Sequence, residues 1–158
     1  MKEKGDKMKL KVRYLPNYNR VWGDLKRAKP DDSGIDLRAA VAEDICLKAG
    51  ERVVIPNGIS VEMQSDTTDY EIQIRPRSGL AARNGLIVVN TPGTVDWGYR
   101  GEIMTILLNT GKEDFIIHAG DRISQMVVCP IVRPEIEEVE TLSETARGEG
   151  RFSSTGIS

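Results

Sequence analysis

The densest chemistry in the chain lies in thirteen consecutive residues, Asn90-Thr91-Pro92-Gly93-Thr94-Val95-Asp96-Trp97-Gly98-Tyr99-Arg100-Gly101-Glu102. The Asn90 amide both donates and accepts, the pattern needed to match the polar edge of a base. Asp96 can orient or deprotonate a water, and Tyr99 can pack against a sugar. Gly93 and Gly98 permit a ligand-facing loop. Turn aspartates also commonly accept backbone hydrogen bonds, so at this point Asp96 stands open between a turn role and a base role.

A second cluster, Arg75-Pro76-Arg77-Ser78-Gly79-Leu80, places a hydroxyl and flexible backbone where a helix or tight turn begins, a pattern suited to an anion. A strand ending in a capped turn reads equally well. Gln125 can face a pocket, whereas Asp121 and Arg122 can simply be a surface pair. Asp36, in Gly34-Ile35-Asp36-Leu37-Arg38-Ala39-Ala40, can meet Mg2+ directly or through water, but one separated carboxylate does not specify a metal site. In the last eighteen residues Arg147, Arg151 and several hydroxyls can converge on phosphate oxygens, and Phe152 adds a flat face for a base. By composition that end is a mobile tail, a segment ordered by ligand, or an interaction tail.

Other chemistries are poorly supplied. The chain has one histidine, His118, and two cysteines, Cys46 and Cys129, too few for a histidine-rich metal centre or a disulfide framework. His118 reads as structural, the cysteines as strand packing, and the compartment as cytoplasmic or otherwise reducing and intracellular. No long apolar run suggests secretion or membrane spanning. The formal charge is -2 over 158 residues, which argues against a stable nucleic-acid partner or a membrane. That near-neutrality is an average. Residues 1–29 hold ten basic and three acidic side chains, and the remainder twelve and 21. The basic segment reads as a solvated arm unless it meets an anionic partner.

These residues must be positioned by short strands. Segments 10–14, 35–39, 52–55, 59–63, 70–75, 86–89, 103–108, 115–117 and 123–132 have β character, and Tyr70, Ile72 and Ile74 alternate with Glu71, Gln73 and Arg75. The later, more apolar segments suit strands covered on both faces, in a sandwich interior or at an oligomer axis. Turn signals at Asn57-Gly58, Asn84-Gly85, Pro92-Gly93, Thr110-Gly111 and Ala119-Gly120 separate them. An all-β domain follows, with one short helix near 78–83 that Ser78 is placed to cap. The expected organisation is a basic N-terminal arm over 1–9, a β domain over 10–140 and a flexible active-site tail over 141–158.

Taken in order, Gly34 to Ala40, Pro76 to Leu80, Asn90 to Glu102, Gly120-Asp121-Arg122-Ile123-Ser124-Gln125, and Arg147 to Gly156 resemble the five motifs of the trimeric dUTP diphosphatase family. The resemblance spans nearly all of residues 10–156. It implies a jelly-roll-like distorted barrel or sandwich, in a homotrimer whose active sites are shared between subunits. The implied reaction is hydrolysis of dUTP to dUMP and pyrophosphate, with Asp96 activating water for attack on the α-phosphorus and Mg2+ on the triphosphate. By the same resemblance Asn90 reads uracil with backbone groups of a hairpin over 86–95, including Gly93 and Val95. Tyr99 lies beneath deoxyribose and excludes a 2′-hydroxyl. Ser78, with Gly79 beside it, and Gln125 face phosphate, and Arg77 and Arg122 are secondary phosphate candidates. Asp36 positions a metal-bound water, Arg147 contacts phosphate and Phe152 stacks over uracil.

Departures from the family pattern are Arg151 and Ser153 where glycines are common, Trp97-Gly98 before the tyrosine, and a longer connection over 18–29 before the first motif. That connection reads as a surface loop, with Trp22 and its positive surroundings as an optional partner site. The competing functions are a dCTP deaminase-like enzyme and a noncatalytic uracil-nucleotide module.

Overall fold

Alternation builds the sheets. In the strand Tyr70–Arg75 the side chains of Ile72 and Ile74 are buried, while Glu71, Gln73 and Arg75 lie on the opposite face. The computed structural model describes residues 8–146 and 148. In chain order its elements are β1 (Lys9–Tyr14), β2 (Ile35–Arg38), β3 (Ile45–Leu47), β4 (Arg52–Pro56), β5 (Ile59–Gln64), β6 (Tyr70–Arg75), α1 (Ser78–Asn84), β7 (Leu86–Val88), β8 (Gly93–Val95), β9 (Met104–Asn109), β10 (Phe115–Ile117) and β11 (Arg122–Pro130), with a 3-10 turn at Arg20–Trp22. No helix among the described residues is long and apolar enough to cross a membrane.

The strands form four antiparallel sheets: β1-β5, β10-β3, β2-β11-β6-β8 and β4-β9-β7. The arrangement is all-β and jelly-roll-like. Its sheets stay open, and among the described residues they do not close into a barrel. The inner faces meet over a core that includes Leu37, Ile55, Ile59, Ile72, Leu107 and Ile117, each worth about 1.5–3 kcal/mol of burial. A buried polar chain crosses that core. Thr105 Oγ1 donates to Asn57 Oδ1 at 3.0 Å and lies 2.7 Å from Ser124 Oγ, and Asn57 Nδ2 donates to the Arg38 carbonyl at 2.9 Å. It links β9 to β11 and, through the turn at Asn57, to the end of β2, and it is fully satisfied.

Several expectations change. β3 and β8 are strands that the residue pattern did not reveal; β8 begins inside the Pro92-Gly93 turn signal. The presumed hairpin over 86–95 does not pair with itself: β7 pairs with β9, and β8 pairs with β6 in another sheet. Ser78 is the first helical residue rather than the cap. That place falls to Arg77, whose side chain makes no capping bond. At the other end Gly85, at φ +69°, closes α1 by donating to Ala81 and Leu80, and a Cβ there would lie 2.6 Å from the Gly111 nitrogen. In the single chain β9 is fully buried on one face and only partly on the other, which does not contradict a place at an oligomer axis. Thr105 and Leu107 are buried, but Met104 is 49% exposed, as are Val54 on β4 (54%) and Val89 just past β7 (41%).

Candidate active site

The link between β7 and β8 crosses from one sheet to another, and a cleft of about 310 Å³ opens between them. Asn90, Gly93, Val95, Asp96 and Tyr99 all line it. Ile74 on β6 supplies apolar wall on one side, and Val54, Met104 and Ile106 supply it on the other. Gly93 is buried beneath Asn90, and a Cβ there would meet Asn90 Nδ2 at 3.0 Å. Asp96 is exposed to solvent. Its carbonyl accepts from the Tyr99 amide at 3.0 Å, closing a turn that brings carboxylate and phenol to the same cleft.

The Tyr99 hydroxyl donates to the Glu102 carbonyl at 2.9 Å, so the ring is tethered at its tip. Glu102 itself anchors this loop. Its Oε1 accepts from the Gly58 amide and from Asn17 Nδ2, both at 2.8 Å. Sequence reasoning gave Glu102 no role. Its only signal was a lone carboxylate closing a glycine-rich run.

A second chamber, of about 340 Å³, collects Asp36, Arg77, Ser78, Gly79, Arg122 and Gln125. Strand register explains the meeting. On β11 Gln125 stands opposite Asp36 of β2 on one side and Arg75 of β6 on the other. An irregularity between Arg122 and Ser124 redirects the start of β11, where Arg122 turns toward β2. Gln125 Nε2 donates to the Pro76 carbonyl at 3.0 Å, and its Oε1 lies where a Cβ of residue 34 would be, so a side chain there would have to displace the Gln125 amide.

Asp36 is held by arginines. Its Oδ1 is 3.0 Å from Arg77 Nε and its Oδ2 is 3.1 Å from Arg122 Nη1, while Arg77 Nη1 donates to the Arg122 carbonyl at 2.8 Å. This arrangement fixes two guanidinium groups at the chamber, which suits polyphosphate oxygens. It does not suit a resident cation, since both carboxylate oxygens face positive charge and no group of three metal-ligating side chains occurs among the described residues. Asp121, read as a surface partner of Arg122, instead accepts from the His118 amide at 2.8 Å. His118 Nδ1 in turn lies 2.8 Å from Asp44 Oδ2, a surface contact away from both clefts. Cys46 and Cys129 lie in β3 and β11 as free thiols.

The predicted residues therefore fall into two groups. The residues expected to read base and sugar, with Asp96, share one cleft, the residues expected to face phosphate share the other, and the two linings have no residue in common. Arg147 and Phe152 lie outside the described residues.

Residues 20–156 match the dUTPase family model. The chain is 50% identical over 149 residues to the deoxyuridine 5'-triphosphate nucleotidohydrolase of Rickettsia bellii, covering 94% of this chain and 95% of that protein. It is 52% identical over 132 residues to the protein of the same name from Gloeothece citriformis, covering 84% and 88%. Among solved structures, a point mutant of the Staphylococcus bacteriophage 80alpha dUTPase with dUpNHpp superposes with a TM-score of 0.75 at 26% identity, covering 94% of this chain and 99% of that one. A mutant dUTPase from phage phi11 of S. aureus, described with a structural Mg(II) ion, shares the fold at a TM-score of 0.71 and 23% identity, covering 86% and 99%.

Proposed function

The chain belongs to the dUTPase family and is a dUTP diphosphatase, and we propose that it works by splitting recognition and catalysis between two clefts that a homotrimer joins. The observation that carries this reading is the grouping of Asn90, Asp96 and Tyr99 in one cleft and of Asp36, Arg77, Ser78 and Gln125 in another. A nucleoside triphosphate has to meet both groups at once. A neighbouring copy supplies the missing half.

In this mechanism Asn90 pairs with the uracil edge, and Gly93 and Val95 bring backbone close to the base. The Tyr99 ring, tethered by its hydroxyl, lies against deoxyribose and leaves no space for a 2′-hydroxyl. Asp96 orients a water and takes its proton as the oxygen attacks the α-phosphorus; pyrophosphate departs and dUMP remains. Ser78 and Gln125 donate neutral hydrogen bonds to phosphate, and Arg77 and Arg122 supply charge without adding a second base. Asp36 keeps that arginine pair in place. Mg2+ enters with the triphosphate as part of the substrate, which agrees with a donor set unsuited to a resident ion. The tail closes last, Arg147 on phosphate and Phe152 over uracil, excluding bulk water.

The test supplies Mg2+ with dUTP, UTP, dTTP or dCTP separately and measures monophosphate, pyrophosphate and ammonia. Selective release of dUMP and pyrophosphate is expected. Ammonia from dCTP would point to a deaminase, and tight dUTP binding without products to a noncatalytic module. Asp96→Asn is expected to lower kcat by about 10²–10⁴ while leaving nucleotide affinity nearly unchanged; unaltered turnover would remove Asp96 from the water-activating role.

A further inference from the structure

The connection between β1 and β2 turns its tryptophan inward. Its neighbour Val21 is nearly fully solvent-facing, at 88% exposure, whereas Trp22 is half-buried and packs edge-on against Tyr18 with ring centroids 5.3 Å apart. The turn that presents it is secured locally. Asn19 Oδ1 accepts from the Val21 amide at 3.0 Å, and the Tyr18 hydroxyl donates to the Gly23 carbonyl at 2.7 Å. The buried Tyr18 phenol, with Tyr14 beside it, has its pKa raised above the ordinary value, so it stays protonated as that donor. The Tyr14 hydroxyl accepts from the Leu25 amide at 2.8 Å.

The indole edge of Trp22 rests on Gly120, with its ring nitrogen where a Cβ of residue 120 would be. Gly120 is buried at φ +84°, so both backbone and space at this position require glycine. The Gly120 carbonyl accepts from Arg38 Nη1 at 2.7 Å, and its amide donates to Ala39 at 2.8 Å. Two residues later comes Arg122. Its side chain lines both the small cavity beside Trp22, of about 120 Å³, and the phosphate chamber, and it holds Asp36, which holds Arg77.

Resting on the assignment of that chamber to phosphate, we propose that Trp22 is a positioning residue for the triphosphate. It fixes the Gly120 turn and thereby the direction in which Arg122, Asp36 and Arg77 face the ligand. The physical reason is preorganisation. The Arg122 side chain is 46% exposed, and if the turn beneath it shifts, its guanidinium must be ordered afresh each time substrate binds. Trp22 lines neither the phosphate chamber nor the base cleft, so its influence is confined to the phosphate end.

The test compares wild type with Trp22→Ala, Trp22→Phe and Val21→Ala, measuring dUTP turnover with Mg2+ and inhibition by pyrophosphate and by deoxyuridine, which carries no phosphate. Trp22→Ala is expected to raise KM for dUTP about tenfold, with kcat within about threefold. The inhibition constant for pyrophosphate should rise in parallel, and that for deoxyuridine should not move. Trp22→Phe keeps a ring on Gly120 and should recover most of the loss, and Val21→Ala should match wild type. The proposal is overturned if Trp22→Ala leaves KM and pyrophosphate inhibition within about twofold of wild type, or weakens deoxyuridine as much as dUTP. Should Trp22→Ala fail to fold, Trp22→Leu against Trp22→Phe decides, since equal values for both would overturn it. A wild type that does not hydrolyse dUTP would sink the function instead; calorimetric pyrophosphate binding to the same variants still reads the role of Trp22.

Discussion

At Glu102 one carboxylate oxygen holds the loop bearing Asp96 and Tyr99 against the turn at Gly58, through amide donors from Gly58 and Asn17. Removing it leaves the part-buried Gly58 amide without its acceptor, while Asn17 Nδ2, at an exposed position, still has the Ala40 carbonyl at 3.3 Å. Glu102→Ala is therefore expected to cost about 1–3 kcal/mol in urea unfolding, and to lower dUTP turnover as the Tyr99 tether loosens. An unchanged unfolding midpoint would show that water replaces the carboxylate. The residue types of Asn90, Asp96 and Tyr99 were legible from the chain because their chemistry is local. The role of Glu102 was not, since its partner Gly58 lies 44 residues away. Trp22 is the same case, its contact with Gly120 resting on the long-range approach of two loops.

Among the elements, β11 does the most to assemble the chamber proposed for phosphate. It pairs with β2 and β6, bringing Asp36, Arg75 and Gln125 into one row. β2 must approach without a side chain at Gly34, whose missing Cβ is the space that Gln125 Oε1 occupies. Gly34→Ala should expel that amide from its contact with the Pro76 carbonyl and raise KM for dUTP about tenfold, with kcat changed less. Equal KM values in steady-state assays would mean that Gln125 finds another rotamer and plays no part in binding. The period-two pattern located β6 between its observed limits, because one face is core and the other polar. It passed over β3 and β8, the latter because its first residue, Gly93, belongs to a turn signal. The hairpin over 86–95 came only from the family resemblance, and in the structure its two arms pair with β9 and β6 instead of each other, a choice that turn signals along the chain do not encode.

For the molecule as a whole, apolar surface is the unresolved account of a single chain. Beyond β11 the segment carries Val132, Ile136 and Leu142 at 87–93% exposure, and the β4-β9-β7 sheet shows Val54 and Met104 to solvent. A neighbouring copy would cover such surface. Ile136→Asp together with Leu142→Asp is expected to shift sedimentation from the proposed trimer toward smaller species and to lower activity more steeply on dilution than in wild type. A wild-type chain that sediments as an active monomer would defeat the shared-site mechanism. By itself the sequence determined the all-β class, the turn positions and the set of chemical groups, since hydrophobic period, glycine placement and residue type are properties of neighbours along the chain. Only the tertiary structure decided that those groups divide between two clefts, that Asp36 faces arginines and that Trp22 turns inward. Each of these depends on strands and loops distant in sequence being brought together by the packing of the sheets.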